Sequence, residues 1–459
     1  MARERCPAAW QHNPNSRTCV GKYPNWLDTS DAAAQESQMP VGYPRLTLAL
    51  MFLLALVELR CEPQPRQEKP IASKPLALIG ATILTAPSAP PIVDGVIIVE
   101  HGKIAAVGPG SAISIPSRAD ILDVRGHTVV AGFWNCHVHF IEPKWSDAAQ
   151  QPSAQLAANL AQMLTSQGFT SVVDTGSLLA NTLDLRRRIE SGEVPGPRIL
   201  TAGLPLYPKD GVPYYVSETL PPEVVKLLPT PATADEAVRA VDVDVAAGAD
   251  LIKLFLVTGV RVDGRIVLKS MDPAIVRAAV SEAHRLGKPV AAHPSTITGL
   301  ELALTGHVDI LAHTIQDPEN WTSAVVSRLA AAHVALVPTL ALFGPMDNSR
   351  RIVEEVKSYA AAGGRIIFGT DVGFLSDYSA LKREFVLLSE AGLTLPQLLE
   401  TLTIAPARQF GREAHSGCIA VGADADLVVL KGTPPDGTRI LTQVSYTLRA
   451  GQIIYTATE

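Results

Sequence analysis

The feature that most limits the possible folds is an alternation of short apolar runs with longer helical patterns, which begins near Val129. The short runs are nearly continuous in apolar residues, which is typical of parallel strands buried on both faces. Eight runs predict the strands Val129–Phe140, Thr170–Thr175, Arg198–Ala202, Asp250–Leu256, Pro289–His293, Val308–His313, Ala335–Leu340 and Arg365–Asp371.

The segments between these runs carry apolar residues at helical spacing. They predict the helices Ala154–Gln167, Asp235–Ala247, Pro273–Leu286, Trp321–Ala332, Arg351–Ala362 and Ala380–Ala391. Eight strand–helix units within about 290 residues match the size of a (β/α)8 TIM barrel. An open doubly wound sheet is the rival fold, but it would carry a glycine-rich fingerprint after its first strand, and the sequence has none there.

Strand-like segments with glycines between them flank the barrel on both sides, before residue 131 and after about Ser416. The simplest arrangement brings the two flanks together. We therefore predict an α/β protein, a TIM barrel with a small β-sandwich domain built from both chain ends. The predicted parts are a leader and linker at 1–73, the sandwich at 74–130 and 417–459, and the barrel at 131–416.

One apolar run lies outside this plan, at residues 46–57 (LTLALMFLLALV). It is about 12 residues long, shorter than the ~20 that a helix needs to span a bilayer. Arg45 precedes it and a polar, proline-rich stretch follows, which is the pattern of a secretory signal peptide. The pattern predicts export, periplasmic or secreted, with no stable membrane span in the mature protein. The alternative is a buried helix of a cytoplasmic protein.

The charge of the chain limits its partners. Its 39 basic and 45 acidic residues give a net charge of −6, so no global basic field is available to hold nucleic acid. We expect a small-molecule substrate and no nucleic acid, and the composition leaves a homo-oligomer open.

In a TIM barrel the chemistry lies at the carboxyl ends of the strands. Five of the predicted strands place polar or charged residues near that end, where burial without a partner is costly. Imidazole nitrogens and a carboxylate suit zinc or a similar transition metal. A single histidine in an apolar strand is more often a core residue, but a pattern repeated in five strands favours a metal site. The residues are His137, His139, Lys253, His293, His313 and Asp371.

The segments that carry these residues resemble the amidohydrolase superfamily of metal-dependent hydrolases. They are VVAGFWNCHVHF, GADLIKLF, AAHPS, DILAHT and FGTDVG, and the tail TIAPARQFGREAHSGCIAVGADADLVVL is similar to the end of that family's barrel and its returning β domain. The resemblance covers roughly residues 75 to 457. Within the superfamily the chain looks most like the imidazolonepropionase-related group, which includes Xaa-Pro dipeptidases.

The resemblance implies two divalent metal ions as cofactors. Zinc is the first expectation, and manganese, iron and nickel tolerate the same ligands. His137 and His139 would bind the more buried ion together with Asp371. His293 and His313 would bind the second ion.

The resemblance also implies two special roles. Lys253 would be carboxylated and bridge the two ions. Asp371 would be the catalytic residue, taking a proton from the bridging water and passing it to the leaving group. One position departs from the family pattern, because Asn135 stands where relatives often have Asp.

The implied reaction is hydrolysis of a C–N amide bond in a peptide-like or N-acyl amino acid substrate, by a hydroxide that bridges the two ions. A hydrolase of cyclic amides or imidazolones with the same metal site is the alternative. A third reading is a non-catalytic exported binding protein on the barrel scaffold, and the complete ligand set argues against it.

Substrate contacts are expected from the loops that follow the barrel strands. The loop 204–215 is rich in proline and tyrosine, and its Tyr207, Tyr214 and Tyr215 either line the substrate pocket or pack the loop. Trp134 is likewise either pocket wall or core.

Overall fold

The computed structural model describes residues 74–218, 220, 222–343, 349–375, 378 and 381–458. Within those residues no helix is long and apolar enough to cross a membrane. The predicted leader at 1–73, with its apolar segment 46–57, lies outside the described residues. The prediction of export is therefore not supported, and we withdraw it.

Five strands precede the barrel, and they coincide with the apolar segments of the first flank. They are β1 (Leu76–Ile83), β2 (Ile92–Glu100), β3 (Lys103–Pro109), β4 (Asp120–Asp123) and β5 (His127–Ala131). Several of these segments are rich in isoleucine and valine, whose branched side chains suit a pleated, buried surface. β1 pairs antiparallel with β2, and β2 with β3, while β4 and β5 run parallel to β1.

The middle of the chain contains the predicted parallel strands and one hairpin. The strands are β6 (Phe133–Val138), β7 (Phe169–Asp174), β8 (Arg198–Thr201), β9 (Ile252–Phe255), β10 (Val257–Val262), β11 (Arg265–Ser270), β12 (Val290–His293), β13 (Ile310–Ala312), β14 (Ala335–Val337) and β15 (Arg365–Ile366). Each of the eight predicted runs overlaps one of the parallel strands, and seven contain their strand entirely; β7 begins one residue before its run. The antiparallel hairpin of β10 and β11 was not predicted.

The parallel strands form two sets that meet at both edges. One set has the order β6-β7-β8, and the other has the order β15-β14-β13-β12-β9. Parallel bridges join Leu206, after β8, to Leu254 of β9, and Val138 of β6 to Val372, after β15. The result is a TIM-barrel-like α/β fold, in which the carboxyl ends of the strands share one face.

Helices connect these strands, and their ends follow local sequence signals. The predicted helix start at Pro273 is confirmed: the side chain of Asp272 accepts the amide of Ala274, and Pro273 occupies the first helical position. The helices are α1 (Ser153–Met163), α2 (Leu179–Glu190), α3 (Tyr214–Ser217), α4 (Pro222–Val225), α5 (Ala234–Ala247), α6 (Pro273–Arg285), α7 (Ile297–Thr305), α8 (Ser323–Ala331), α9 (Leu340–Phe343), α10 (Ser349–Ala361), α11 (Leu381–Glu390), α12 (Leu395–Leu402) and α13 (Ile404–Gln409).

The predicted first strand, Val129–Phe140, is in fact two strands that separate at Gly132. The main-chain nitrogen of Gly132 donates to the carbonyl of Asp426, while that of Phe133 donates to the carbonyl of Gly168. A Cβ atom at Gly132 would lie 2.1 Å from Oγ1 of Thr170, so only glycine fits at this crossing. The chain therefore leaves the flanking sheet and enters the barrel within a single residue.

The end of the chain returns to the first flank. Its strands are β16 (Leu427–Lys431), β17 (Val444–Arg449) and β18 (Gln452–Thr456). β16 pairs antiparallel with β5, and the sheet has the order β18-β17-β16-β5-β1-β2-β3, with β4 also paired to β1. The two chain ends thus share one eight-stranded sheet. A separate sandwich domain is not confirmed.

Ion pairs join the barrel to this sheet. Arg198, the first residue of β8, contacts Asp424 at 3.1 Å and Asp426 at 3.0 Å, just before β16. The described residues all belong to one compact unit. The boundaries at residues 130 and 416 stay a prediction.

Candidate metal centre

Two histidines at the end of β6 lie next to an aspartate that follows β15. Nε2 of His139 is 3.0 Å from Oδ1 of Asp371, and Nε2 of His137 is 3.5 Å from the same oxygen. The three side chains are buried, and their ligand atoms lie within 4.8 Å of one another. This spacing allows all three to bind one metal ion.

The other predicted ligands approach the same carboxylate from neighbouring strands. Nε2 of His313, which follows β13, is 3.7 Å from Oδ2 of Asp371. His293 ends β12 and meets His313 edge-on, with ring centres 4.7 Å apart. Lys253 lies in β9, is 1% exposed, and acts electrostatically on His137, His293 and His313. The structure therefore brings the six residues together at the carboxyl ends of the strands.

Hydrogen bonds to the outer ring nitrogens decide which nitrogens face the cluster. Nδ1 of His139 is 2.7 Å from the carbonyl oxygen of Gly176, which only accepts, so this Nδ1 carries the proton. Thr339 donates its hydroxyl proton to the carbonyl of Pro338 at 2.8 Å, so the hydroxyl accepts from Nδ1 of His313. Both histidines therefore turn an unprotonated Nε2 toward the carboxylate, as metal ligands do.

This arrangement turns electron pairs toward one another. The Nε2 lone pair of His139 faces Oδ1 of Asp371, and no residue that the structure describes donates a hydrogen bond to that oxygen. Nδ1 of His137 is also buried without a hydrogen-bond partner among those residues. Buried acceptors at such distances repel unless a proton or cation lies between them. The donor set therefore fits a divalent metal ion.

Burial keeps the imidazoles in the neutral form that binds metals. Desolvation, and then the charge of Lys253, holds the pKa of His137 well below its usual range and lowers the pKa of His293 to about 3. Desolvation and then His293 lower the pKa of His313. Burial also lowers the pKa of Lys253 to about 7, although the charge of Asp371 opposes this shift.

The backbone is strained at the ends of these strands. His313, Thr339 and Asp371 have φ angles of 80°, 49° and 59°, in the left-handed region that residues other than glycine rarely adopt. Such conformations cost about 1–3 kcal/mol each and persist where surrounding contacts enforce them. Here the amide of Asp371 donates to the carbonyl of His137, and that of His313 donates to the carbonyl of Val337. Strain gathered at one face of the fold supports a functional site there.

Asn135 ties the end of β6 to the residue before Asp371. Its Nδ2 donates to Oγ1 of Thr370 at 2.7 Å, and its Oδ1 accepts the main-chain amide of Thr370 at 3.2 Å. The same oxygen accepts the amide of His137 at 3.3 Å. A side chain that both donates and accepts hydrogen bonds suits these three contacts.

Two of the predicted substrate residues lie beside the cluster. Tyr207 stacks on Phe255 with ring centres 4.8 Å apart, and Phe255 stacks on His293 at 4.7 Å. Burial raises the pKa of the Tyr215 hydroxyl, and the nearby charges of Tyr207 and Asp371 raise it further. Both rings therefore belong to the surroundings of the candidate site.

The other two contact other groups. The ring of Tyr214 meets that of Tyr215 edge-on, with centres 5.6 Å apart, and is 5.0 Å from the guanidinium of Arg261, in the β10–β11 hairpin. Trp134 is fully buried, stacks on Phe410 at 5.8 Å, and donates from Nε1 to Oγ of Ser416 at 3.3 Å. Trp134 thus occupies the core, and we leave it and Tyr214 out of the substrate site.

The sequence analysis missed the residues that orient the histidines. Gly176 and Thr339 contact the outer ring nitrogens, and Asp174 organises the segment that contains Gly176. Asp174 ends β7 and Thr339 lies two residues beyond β14. Both are polar residues near the ends of predicted strands, Thr170–Thr175 and Ala335–Leu340, and this position is the sequence signal that identifies them.

A fold of this kind, with buried nitrogen and oxygen ligands at its strand ends, is an arrangement that metal-dependent hydrolases use. The model of the amidohydrolase family matches residues 128–458, and the chain belongs to that family. It is accordingly a hydrolytic enzyme acting on C–N bonds, in a family that uses divalent metals.

Relatives of known structure or activity agree with this assignment. The chain is 26% identical over 440 residues to a dihydroorotase of Anaeromyxobacter dehalogenans, covering 79% of this chain and 94% of that enzyme. It is 28% identical to a candidate prolidase from Bifidobacterium longum, with a TM-score of 0.68 over 83% of this chain and 95% of the other. A prolidase complexed with N-methylphosphonate-L-proline is 25% identical, with a TM-score of 0.68 over 83% of this chain and 100% of the other. Together they support a metal-dependent amide hydrolase with a small-molecule substrate.

Proposed function

We propose that the protein is a binuclear metal-dependent hydrolase that cleaves a C–N amide bond in a peptide-like or N-acyl amino acid substrate. The observation that carries the proposal is the pair of facing acceptors, Nε2 of His139 and Oδ1 of Asp371, 3.0 Å apart in a buried site. The similarity to a prolidase complexed with a proline phosphonate supports a peptide-like substrate.

The ligands would divide between two ions. His137, His139 and Asp371 would hold the first, and His293 and His313 would hold the second. Either zinc or manganese suits nitrogen and oxygen donors of this kind, and zinc is our first expectation.

Lys253 would lie between the two ions, where an ammonium group would repel them. Its neutral amine can attack the carbon of CO2, forming an N–C bond and losing a proton. The product is a carbamate with one negative charge, whose oxygens are ligands for divalent cations. This conversion replaces a buried positive charge, at a side chain that is 1% exposed, with a negative charge that the two cations would balance.

Two divalent cations bound here would lower the pKa of a water and polarise the substrate carbonyl. Asp371 would take a proton from that water on its carboxylate and give it to the departing amine nitrogen. Gly176 and Thr339 hold the rings of His139 and His313 in place during this transfer. Tyr207 and Tyr215 would contact the substrate.

The alternative is a cyclic amide or imidazolone hydrolase with the same metal site. The similarity to a dihydroorotase along 79% of the chain favours it. The two proposals share every metal ligand and differ in the groups that bind the substrate.

The test is a screen of the metal-loaded enzyme against acyl-proline dipeptides, N-acyl amino acids and cyclic ureides, together with metal analysis. We expect about two equivalents of metal and hydrolysis of a linear substrate. His137→Ala should lose metal and activity, while His333→Ala, at an exposed turn before β14, should keep both. Well under one equivalent of metal, with no activity regained on adding zinc or manganese, would defeat the proposal. Turnover of cyclic ureides alone would favour the alternative.

A further inference from the structure

Asp174, at the end of β7, is a fully buried carboxylate outside the proposed ligand set. Its Oδ1 accepts the amide of Gly176 at 3.1 Å and the hydroxyl of Ser177 at 2.6 Å. Its Oδ2 accepts the hydroxyls of Thr201 at 2.8 Å and Thr182 at 3.2 Å. Each oxygen therefore has two donors, and the carboxylate fixes the three residues that follow β7 to β8 and α2.

The segment 175–177 lies against the end of β6, around His139. The carbonyl of Gly176 accepts the Nδ1 proton of His139 at 2.7 Å. The hydroxyl of Ser177 accepts the amide of Phe140 at 2.8 Å while it donates to Asp174. The ring of His139 and the amide after it are thus both held by groups that Asp174 places.

The main chain supports the same contact on the other side. The amide of Thr175 donates to the carbonyl of Val138 at 3.1 Å. A Cβ atom at Gly176 would lie 3.3 Å from Cε1 of His139 and 2.9 Å from Cγ of Pro205, so the segment passes close to the ring. The carbonyl of Gly176 can move little without a clash or the loss of a hydrogen bond.

We propose that Asp174 is a positioning residue, which fixes the 175–177 segment and thereby keeps Nε2 of His139 unprotonated and directed at the metal centre. The inference rests on the proposed function, because it takes His139 to be a metal ligand. Asp174 acts through Gly176 and Ser177 and touches neither metal nor substrate.

A merely structural acid would affect folding but not metal affinity, so the metal affinity is the readout. The metal-free protein is titrated with Zn²⁺ alone, and with Mn²⁺ alone, by calorimetry. Asp174→Ala should weaken binding at one of the two sites by about 10–100-fold, the usual loss when an outer partner of a ligand is removed. Asp174→Asn matches the shape of the carboxylate and its amide oxygen still accepts from Gly176 and Ser177, so it should restore most of the affinity.

Ser177→Ala removes one hydroxyl and keeps the carboxylate, so it reports even if Asp174→Ala fails to fold. It should weaken metal binding by a smaller factor, about 3–10-fold. The matched control is Asp426→Ala, which removes a buried aspartate that pairs with Arg198 near the flanking sheet. It should lower the melting temperature and leave the metal affinity within about twofold.

Metal affinity unchanged in Asp174→Ala, or in Ser177→Ala where the first variant does not fold, would overturn the inference. An equal loss in Asp426→Ala would also overturn it, because the effect would then follow general destabilisation. A wild-type protein that binds no metal is a separate result, which defeats the proposed function itself.

Discussion

Lys253 shows most directly how burial and chemistry are linked at the level of single residues. Its side chain is 1% exposed, with Nζ 5.5 Å from the centre of the Phe255 ring. Lysine is rarely buried to this degree without a partner. Its charge lowers the pKa of three nearby imidazoles. A permanent ammonium at this position would likewise oppose the binding of a cation. An anionic carbamate at the same position would favour it.

We therefore expect Lys253→Ala to lose binding of at least one of the two ions and to lower activity by more than the roughly 10–100-fold that outer partners cost. Metal analysis and steady-state kinetics measure the two effects. Lys103→Ala is the control, because Lys103 pairs with Asp424 beside the flanking sheet and is half-exposed. Two retained ions and full activity in Lys253→Ala would refute the assigned role.

The site residues that can be predicted from the sequence are those whose side-chain chemistry is unusual for a buried strand. His137, His313 and Asp371 were predicted because a polar side chain in an apolar run needs a reason to be there. Gly176 was missed because its part is played by a backbone carbonyl, which every residue has. Only the fold places that carbonyl 2.7 Å from Nδ1 of His139.

At the level of elements, the turn after Asp371 depends on a glycine. Gly373 has a φ of +113°, and a Cβ atom there would lie 2.3 Å from the carbonyl oxygen of His139. Gly392 also has a positive φ, +94°, but a Cβ atom there would meet nothing within 4 Å. Alanine at either glycine would strain the backbone, but only alanine at Gly373 would also produce a steric clash.

Gly373→Ala should therefore destabilise the protein more than Gly392→Ala. The control carries only the conformational cost of about 1–2 kcal/mol, whereas Gly373→Ala adds displacement of the strand end that holds His139. Urea denaturation measures the free energy of unfolding of each variant. Equal losses would mean that the turn relaxes without strain on the site.

Strand positions were predictable at this scale and some boundaries were not. A run of apolar residues locates a buried strand, but nothing in Val129–Phe140 marks the change of sheet except Gly132, which reads like any other glycine. The hairpin of β10 and β11 did carry a signal, Asp263-Gly264, and both residues have the positive φ of a tight hairpin turn. The hairpin does not repeat the strand–helix alternation on which the other strand predictions rest.

For the molecule as a whole, a buried acid makes stability depend on pH. Glu384, fully buried in α11, accepts the amide of Ala341 at 2.7 Å, and burial raises its pKa from 4.5 to about 8. Between these values the unfolded chain releases the proton and the folded chain keeps it. The contribution of Glu384 to stability is therefore complete below about pH 4.5 and is lost as the pH rises to about 8.

Glu384→Gln keeps a carbonyl that accepts from Ala341 and has no proton to lose. Relative to the wild type, its free energy of unfolding should rise by roughly 2–4 kcal/mol between about pH 5 and pH 8. Chemical denaturation at several pH values measures this difference. Glu390→Gln, at an exposed position of the same helix, is the control and should show no such slope. A pH-independent difference between Glu384→Gln and the wild type would contradict the prediction.

The sheet shared by both ends of the chain also determines the order in which the protein can fold. β16 pairs with β5 across about 300 residues of sequence, so this contact has a very high contact order and forms slowly. During synthesis, β5 emerges long before β16, and one of its edges stays unpaired while the barrel is made. An unpaired apolar edge is a template for aggregation. Closure of the sheet by β16 is therefore the late step of folding, and the nascent chain needs protection of β5 until that step is complete.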